Sequence, residues 1–105
     1  MLGVDLVYIP RLRCPKESFL KGVLTPKERA LYEQAPKKDE FLAGRCAAEE
    51  AYLKALGKGL GGARLSEIEI LPESGGQPFL YHEGKRYEVS ISHDGEYAIA
   101  IVFIP

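Results

Sequence analysis

The chain has 105 residues, a length that suits one domain with a single hydrophobic core, so we expect residues 1–105 to form one domain. Its 14 basic and 15 acidic side chains leave a net charge of −1, without the basic excess of a protein that coats nucleic acid. No apolar run approaches the ~18–20 residues that cross a bilayer, and the N-terminus lacks the pattern of a secretory signal. We therefore expect a cytoplasmic protein that binds neither nucleic acid nor membrane.

The first half of the chain reads as one strand followed by helices. The β-forming residues of Leu2–Ile9 predict a strand, although Asp5 places a charge inside it. A short helix is predicted over Lys16–Val23. In Thr25–Glu28, a Thr N-cap, a Pro at the first helical position and a Glu that completes a capping box predict a second helix start. Pro36 ends that second helix.

A long helix is predicted over Lys38–Leu56, because apolar side chains recur there at helical spacing and Gly57 provides a C-terminal stop. Glu50 and Lys54 lie four residues apart, so they share one face of this helix. The pair suits either a metal-assisted phosphate site or an ordinary exposed ion pair. The glycine-rich stretch Gly57–Gly62 cannot be regular structure and is predicted to be a loop.

The two cysteines, Cys14 and Cys46, stand alone, without the paired spacing of a metal-thiolate site or the density of a disulfide framework. We interpret both as reduced thiols. Cys46 falls inside the long helical pattern, where a cysteine commonly serves as a small packing residue.

The second half of the chain changes to the period of β-strands. The final strand has apolar residues on both faces, which predicts cover on both sides. In so small a domain, we expect the second cover to be another subunit. The sequence therefore predicts an α+β fold: an N-terminal strand, helices including one long central helix, then an antiparallel sheet of strands and hairpins. The predicted strands are Ile68–Leu71, Phe79–Tyr81, Tyr87–His93 and Tyr97–Ile104, with turns at Glu73–Gly76 and Asp94–Gly95.

Three segments, in order and at matching spacing, resemble the holo-(acyl-carrier-protein) synthase family, the small 4′-phosphopantetheinyl transferases. The resemblance spans nearly the whole chain and implies a single transferase domain. The three segments are Gly3–Val7, Phe41–Ala55 and Val89–His93, with further matches at Val23–Glu28, Ile68–Ile70 and Gly75–Pro78.

In that family the enzyme moves 4′-phosphopantetheine from coenzyme A to a serine of an apo acyl carrier protein and releases 3′,5′-ADP. The resemblance implies that Asp5 and Glu50 bind Mg²⁺, and that Lys54 contacts the phosphates and assists the leaving group. It makes Glu50 and Lys54 the candidate catalytic residues, and it implies a homotrimer with active sites at subunit interfaces. The residues that it implies around coenzyme A are Arg45, Lys54, Gly57, Lys58, Gly59 and His93.

These implied roles agree with general chemistry. Mg²⁺ commonly takes one or two carboxylates together with substrate phosphates and waters. Phosphoryl transfer depends mainly on positioning and charge neutralisation, which a metal and a lysine supply. For the proton of the carrier serine, Glu50 itself and a metal-bound water are both candidates.

Several residues depart from the family pattern. Glu49 stands where the family usually has Lys; it should weaken coenzyme binding if its side chain points inward, or it could instead face solvent or pair with Arg45. Lys58 could return a positive charge to the same pocket. The segment His82–Arg86 is too short for the extra helix that many members carry, and His82 is predicted to be a surface residue. The first helix, where the family docks its acidic carrier, is short. Its candidate docking residues are Arg11, Arg13, Lys16, Phe19 and Lys21.

The alternative function is a non-catalytic relative that binds coenzyme A or a nucleotide, with Glu49 and the short first helix marking lost activity. Retention of Asp5, Glu50 and Lys54 together favours the enzyme, because binding alone would not need all three residues.

Overall fold

A computed structural model of the chain describes residues 1–57 and 67–105. In these residues, five antiparallel strands form one sheet in the order β1-β5-β4-β3-β2, and one long helix crosses a face of it. This arrangement confirms the predicted α+β class. The elements are β1 (Leu2–Tyr8), a 3₁₀ helix (Ile9–Leu12), α1 (Glu17–Val23), α2 (Pro26–Gln34), α3 (Lys38–Leu56), β2 (Glu69–Pro72), β3 (Pro78–His82), β4 (Lys85–Asp94) and β5 (Tyr97–Phe103).

The 3₁₀ helix after β1 is absent from the sequence-based prediction, which extended the strand to Ile9. The Ile9 amide donates to the Glu96 carbonyl at 2.8 Å, which is the last backbone bond of this strand to the β4–β5 turn. Pro10 then has no N–H to offer to a ladder, so the chain turns into the short helix. No helix in the described ranges is long and apolar enough to cross a membrane.

The capping box at the start of α2 is confirmed. The Thr25 hydroxyl accepts from the Glu28 amide at 3.3 Å, and Glu28 Oε1 accepts from the Thr25 amide at 3.1 Å. The second carboxylate oxygen of Glu28 accepts from the Ile70 amide at 3.0 Å, which joins α2 to β2. Glu28 is fully buried, and burial raises its pKa while the two backbone donors oppose that shift.

The long helix α3 has the predicted bounds, and Gly57 ends it in a left-handed conformation with φ of 73°. It lies unusually close to β1 at Gly3, where an added Cβ would sit 1.8 Å from the Ala51 carbonyl oxygen. A strand and a helix backbone can approach this closely only where no side chain intervenes. Gly3 therefore sets the distance between β1 and the second half of α3.

Two tight hairpins connect the last three strands. Gly95 and Glu96 join β4 to β5, with Asp94 paired to Tyr97, as the Asp-Gly signal predicts. Glu83 and Gly84, with φ of 52° and 75°, join β3 to β4 in a two-residue turn. The short β3–β4 connection has no room for a further helix, as expected from its length.

The outer face of the β1–β5 pair is apolar, and no part of the chain that the structure describes covers it. Side chains of β5 alternate between buried residues under α3 and exposed residues on this outer face. The outer residues are 38% to 71% exposed, and a contiguous apolar surface of this kind marks an interaction site. They are Leu2, Val4, Leu6, Ile99, Ile101 and Phe103.

Candidate active site

The side chains of Asp5 and Lys54 meet where α3 crosses β1. Lys54 Nζ donates to Asp5 Oδ1 at 2.9 Å and to the Val4 carbonyl at 3.1 Å. These contacts join residues 49 positions apart in the sequence. The ordinary i,i+4 ion pair expected as one alternative for Glu50 and Lys54 is therefore replaced by a pair between Lys54 and Asp5.

The Glu50 carboxyl group lies on the same flank of α3 and is partly buried. Burial raises its pKa first, and the negative charge of Asp5 raises it further, while Lys54 opposes the shift. The chain has thus brought two carboxylates together beside one ammonium. Such a pair favours a bound cation, because a positive charge would offset the repulsion between Asp5 and Glu50.

A divalent cation would fit between these two carboxylates and would keep further coordination positions open for other ligands. Across residues 1–57 and 67–105, no cluster of three or more His, Cys, Asp or Glu side chains could hold a metal ion by itself. Asp5 and Glu50 would supply two oxygen ligands, and phosphate and water would complete the shell, as is common for Mg²⁺. The donor set therefore fits Mg²⁺ held jointly by protein and substrate.

Arg45 and His93 line a different cavity, on the opposite flank of α3. This cavity of about 530 Å³ lies between the N-terminal half of α3 and the strands β3 and β4. The Arg45 guanidinium stacks 4.0 Å from the Phe41 ring centroid and donates to the Ile70 carbonyl at 3.2 Å. Burial lowers the pKa of Arg45 from its very high ordinary value, while the negative charge of Glu28 opposes this shift. The guanidinium stays a cation.

His93 projects from β4 into the same cavity, where its Nδ1 lies 3.7 Å from Glu40 Oε1. Gly44 lets α3 approach this strand, since a Cβ there would sit only 3.1 Å from Ile91 Cγ2 on β4. An aromatic ring, a buried guanidinium and an imidazole in one cavity are suited to a nucleotide with its phosphates. We name this cavity the Arg45 cavity.

The predicted site residues thus form two groups rather than one. Arg45 and Lys54 are nine residues apart on α3, two and a half turns, and therefore point to opposite sides of the helix. The residues lining the Arg45 cavity do not include Asp5, Glu50 or Lys54. Gly57 lies one turn beyond Lys54. Lys58 and Gly59 fall outside the described residues, so the predictions for them stay predictions.

A second groove adjoins Glu50 on its other side, between the 3₁₀ helix, α1 and α3. Its volume is about 330 Å³, and its walls are mostly apolar. Phe19 and Cys46 lie in it, and burial raises the pKa of the Cys46 thiol to about 12. Cys46 is therefore a protonated packing residue at neutral pH, consistent with its sequence interpretation. Because of the neighbouring helix we name this groove the α1 groove.

The structure contradicts two of the three alternatives stated for Glu49. This side chain neither faces solvent nor forms a hydrogen bond with Arg45: it is 1% exposed, and within residues 1–57 and 67–105 neither carboxyl oxygen has a hydrogen-bond partner. Burial and then the charges of Glu28 and Glu50 raise its pKa well above the ordinary value, while Arg45 opposes them. Burial of Glu49 therefore favours the neutral form of its carboxyl group, which lies in the wall of the α1 groove.

The structure also corrects the prediction for His82, which is buried rather than on the surface. The Tyr52 hydroxyl and His82 Nδ1 share a hydrogen bond of 2.8 Å. The sequence does carry a signal for this burial, because His82 alternates with the buried Leu80 on the inner face of β3.

The chain is similar to known phosphopantetheinyl transferases over nearly its whole length. The sequence model of the 4′-phosphopantetheinyl transferase superfamily matches residues 1–102. A holo-[acyl-carrier-protein] synthase of Geobacillus sp. (strain WCH70) is 43% identical over 98% of this chain and 93% of its own length. The enzyme of the same name from Enterococcus faecalis is 41% identical over 98% of this chain and 94% of its own.

Solved structures of such synthases share the fold. The Bacillus anthracis synthase, in complex with CoA (3′,5′-ADP), superposes with a TM-score of 0.86 at 33% identity, covering 96% of this chain and 91% of that one. The Helicobacter pylori synthase in complex with coenzyme A has a TM-score of 0.86 at 32% identity, covering 97% of both chains. The chain therefore belongs to the 4′-phosphopantetheinyl transferase superfamily, and within it to the holo-[acyl-carrier-protein] synthases, as an enzyme.

Proposed function

We propose that this chain transfers 4′-phosphopantetheine from coenzyme A to a serine of an apo acyl carrier protein, with Mg²⁺ as cofactor and 3′,5′-ADP as the second product. The observation that carries the proposal is the contact of Lys54 with Asp5 beside Glu50, in a chain whose solved relatives include complexes with coenzyme A. The test is a gain in mass by an apo acyl carrier protein that requires both coenzyme A and Mg²⁺.

In this reaction the serine oxygen forms a bond to the phosphorus that carries pantetheine. The bond from that phosphorus to the oxygen of 3′,5′-ADP breaks, and the serine proton leaves. Asp5 and Glu50 would hold Mg²⁺, which supplies charge neutralisation on the pyrophosphate. Lys54 stands beside both carboxylates and would neutralise the charge that develops on the leaving phosphate.

Two groups are candidates for accepting the proton of the carrier serine. Glu50 lies partly buried with a raised pKa, so its carboxylate is a better base than an exposed one. A water bound at the same carboxylates would serve equally well. Both candidates place the proton transfer at the Asp5–Glu50 pair.

We further propose that the nucleotide half of coenzyme A binds in the Arg45 cavity of a neighbouring subunit. Two observations support this arrangement. Arg45 and His93 lie across α3 from Lys54 within one chain, and the outer face of β1 and β5 is apolar and exposed. A homotrimer formed through that face would bring Arg45 and His93 of one chain towards Asp5, Glu50 and Lys54 of the next.

Mixing two inactive variants tests the shared site. Glu50→Gln removes one half of each site and His93→Ala weakens the other half, so each variant alone is expected to transfer poorly. In trimers reassembled from an equal mixture, a site is intact where one chain supplies Glu50 and its neighbour supplies His93. This holds for about a quarter of the sites in a cyclic oligomer, so activity should recover to about a quarter of the unmodified rate.

Light scattering should report three chains per particle for the mixture and for both variants. If mixed trimers form and activity does not recover, each chain holds its own complete site, and the proposed sharing is wrong. A particle of one chain would contradict the trimer directly.

The acceptor is proposed to dock at the α1 groove, which opens next to Glu50. The exposed Phe19 offers an apolar contact at its rim, and Arg11 lines its wall. Basic side chains on the surrounding surface would attract an acidic carrier. The candidates are Arg11, Arg13, Lys16 and Lys21, of which Arg13 also lies 3.5 Å from Asp39.

A cytoplasmic location is proposed from the sequence together with this reaction, and service to fatty acid synthesis is the proposed role of the carrier. The alternative of a non-catalytic relative that binds coenzyme A predicts binding without transfer. The transfer test separates the two functions.

A further inference from the structure

A buried histidine–tyrosine pair joins the β3–β4 hairpin to α3. His82, at the end of β3, is 7% exposed, and Tyr52 of α3 is 2% exposed. The Tyr52 hydroxyl and His82 Nδ1 are 2.8 Å apart, and the two rings meet edge to face at 80° with centroids 5.4 Å apart. This contact lies outside the groups of residues assigned above to transfer.

The Tyr52 phenol is held as a neutral hydrogen-bonding group. Burial raises its pKa, and the contact with Tyr87, whose ring centroid lies 5.3 Å away, raises it further. A buried hydroxyl is unfavourable without a hydrogen-bond partner, so the partner at His82 fixes where the phenol lies. The hydrogen bond therefore fixes the orientation of the two rings in addition to their packing.

Tyr52 lies on the side of α3 opposite Glu50 and Lys54. It is two residues from Glu50 and two from Lys54, which puts it about 200° around the helix axis from both. Glu50 and Lys54 lie within about 40° of each other on the opposite flank. Any rotation of α3 about its axis moves Tyr52 and these two side chains in opposite directions.

The other flank is fixed where Lys54 donates to Asp5 and to the Val4 carbonyl. Core packing along α3 and the Arg45 contact with the Ile70 carbonyl also hold the helix on the sheet. The His82 contact adds a directional hydrogen bond on the side of α3 opposite Lys54. Directional contacts on opposite sides of one helix restrain its rotation.

We propose that His82 is a positioning residue for phosphopantetheine transfer: through Tyr52 it fixes the rotation of α3 and so places Glu50 and Lys54 towards Asp5. The inference rests on the proposed function of those three residues. It assigns no contact between His82 and the substrates.

The test compares Tyr52→Phe, His82→Phe and the double variant, at a temperature where near-ultraviolet circular dichroism shows each one folded. Each single change removes the hydrogen bond and keeps an aromatic ring. We expect kcat to fall about tenfold in each, because small displacements of catalytic groups have large effects on rate. The double variant should be no slower than the singles, since the two changes remove one interaction.

A conservative replacement and a matched control separate positioning from packing. His82→Asn keeps a polar atom near the position of Nδ1 and should recover most of the lost kcat. Tyr81→Phe removes a hydroxyl from the next residue of the same strand, where it donates to Glu73 at 3.1 Å on the outer face. Its kcat should stay within about twofold of the unmodified chain. The KM for coenzyme A should also stay within about twofold in all these variants, because the nucleotide half is assigned to the Arg45 cavity.

Hydrogen exchange provides a readout that does not need activity. The amides of Lys54 and Gly57 should exchange faster in Tyr52→Phe and His82→Phe than in the unmodified chain. In Tyr81→Phe their exchange rates should stay the same. A chain that never transfers phosphopantetheine would contradict the proposed function, while faster exchange would still support the attachment of α3. Unchanged exchange, or a folded Tyr52→Phe variant with unchanged kcat, would overturn the positioning role. If His82→Phe does not fold, the isosteric Tyr52→Phe variant decides the question.

Discussion

Replacement of Glu50 by Gln is expected to lower the rate of phosphopantetheine transfer at least about 10²–10³-fold, the range seen when one electrostatic group is removed from a preorganised site. The amide keeps the shape of the side chain but loses the negative charge and is a poorer ligand for Mg²⁺. The fold should survive, since Glu50 is only partly buried and is repelled by Asp5. Removing that repulsion should leave the thermal midpoint unchanged or slightly raised.

The matched control for Glu50→Gln is Glu33→Gln, the same chemical change on the exposed side of α2. Glu33 accepts from Arg29 Nε at 2.8 Å in an i,i+4 pair, which contributes only about 0.3–0.5 kcal/mol. Its transfer rate should therefore equal that of the unmodified chain. A Glu50→Gln variant that transfers at a near-normal rate would remove Glu50 from the metal site and from proton transfer.

Replacement of Gly3 by Ala should cause the largest loss of stability among Gly→Ala changes at the glycines that the structure describes. The new Cβ would lie 1.8 Å from the Ala51 carbonyl oxygen and 2.8 Å from the Ala55 nitrogen, and both are backbone atoms that cannot turn aside. β1 and α3 would have to separate, which breaks the packing that also holds Lys54 against Asp5. We expect a loss of about 3 kcal/mol or more, at the upper end of overpacking effects, or a failure to fold.

Urea unfolding at one fixed protein concentration measures this effect, because any association would make stability depend on concentration. Gly22→Ala is the matched control, since Gly22 lies in α1 and no atom of another described residue lies within 4 Å of an added Cβ, its chain neighbours and its own helix backbone aside. That change should stabilise the chain by about 0.5–1 kcal/mol, as Ala exceeds Gly in helix propensity. Equal stability of Gly3→Ala and the unmodified chain would mean that β1 and α3 do not approach as described.

Features written in short stretches of sequence were predictable. The bounds of α3, the capping box at Thr25 and the turn at Gly95 each depend on a few adjacent residues with defined backbone preferences. The predicted strands lie within one or two residues of those observed, because strand ends are set by pairing with distant partners rather than by local pattern.

Features decided by packing between distant segments were not predictable in the same way. The burial of His82 depends on β3 packing against α3, and Glu49 lies where α1 and the 3₁₀ helix adjoin α3. A polar side chain carries little local sign of whether its position is covered. The sequence resemblance grouped Arg45 and His93 with Asp5, Glu50 and Lys54, but it did not indicate that α3 separates the two groups within one chain. The apolar outer face was predicted from the last strand, which has apolar residues on both faces. Contacts between chains, rather than within one chain, would decide what covers this face.

The most direct test of the proposed transfer is the intact mass of an apo acyl carrier protein after incubation with this protein, coenzyme A and Mg²⁺. We predict a gain of one phosphopantetheine that disappears when the metal is chelated and returns when Mg²⁺ is added back. A carrier whose mass does not change, in a mixture where coenzyme A still binds to this protein, would contradict the proposed transfer and favour a non-catalytic relative.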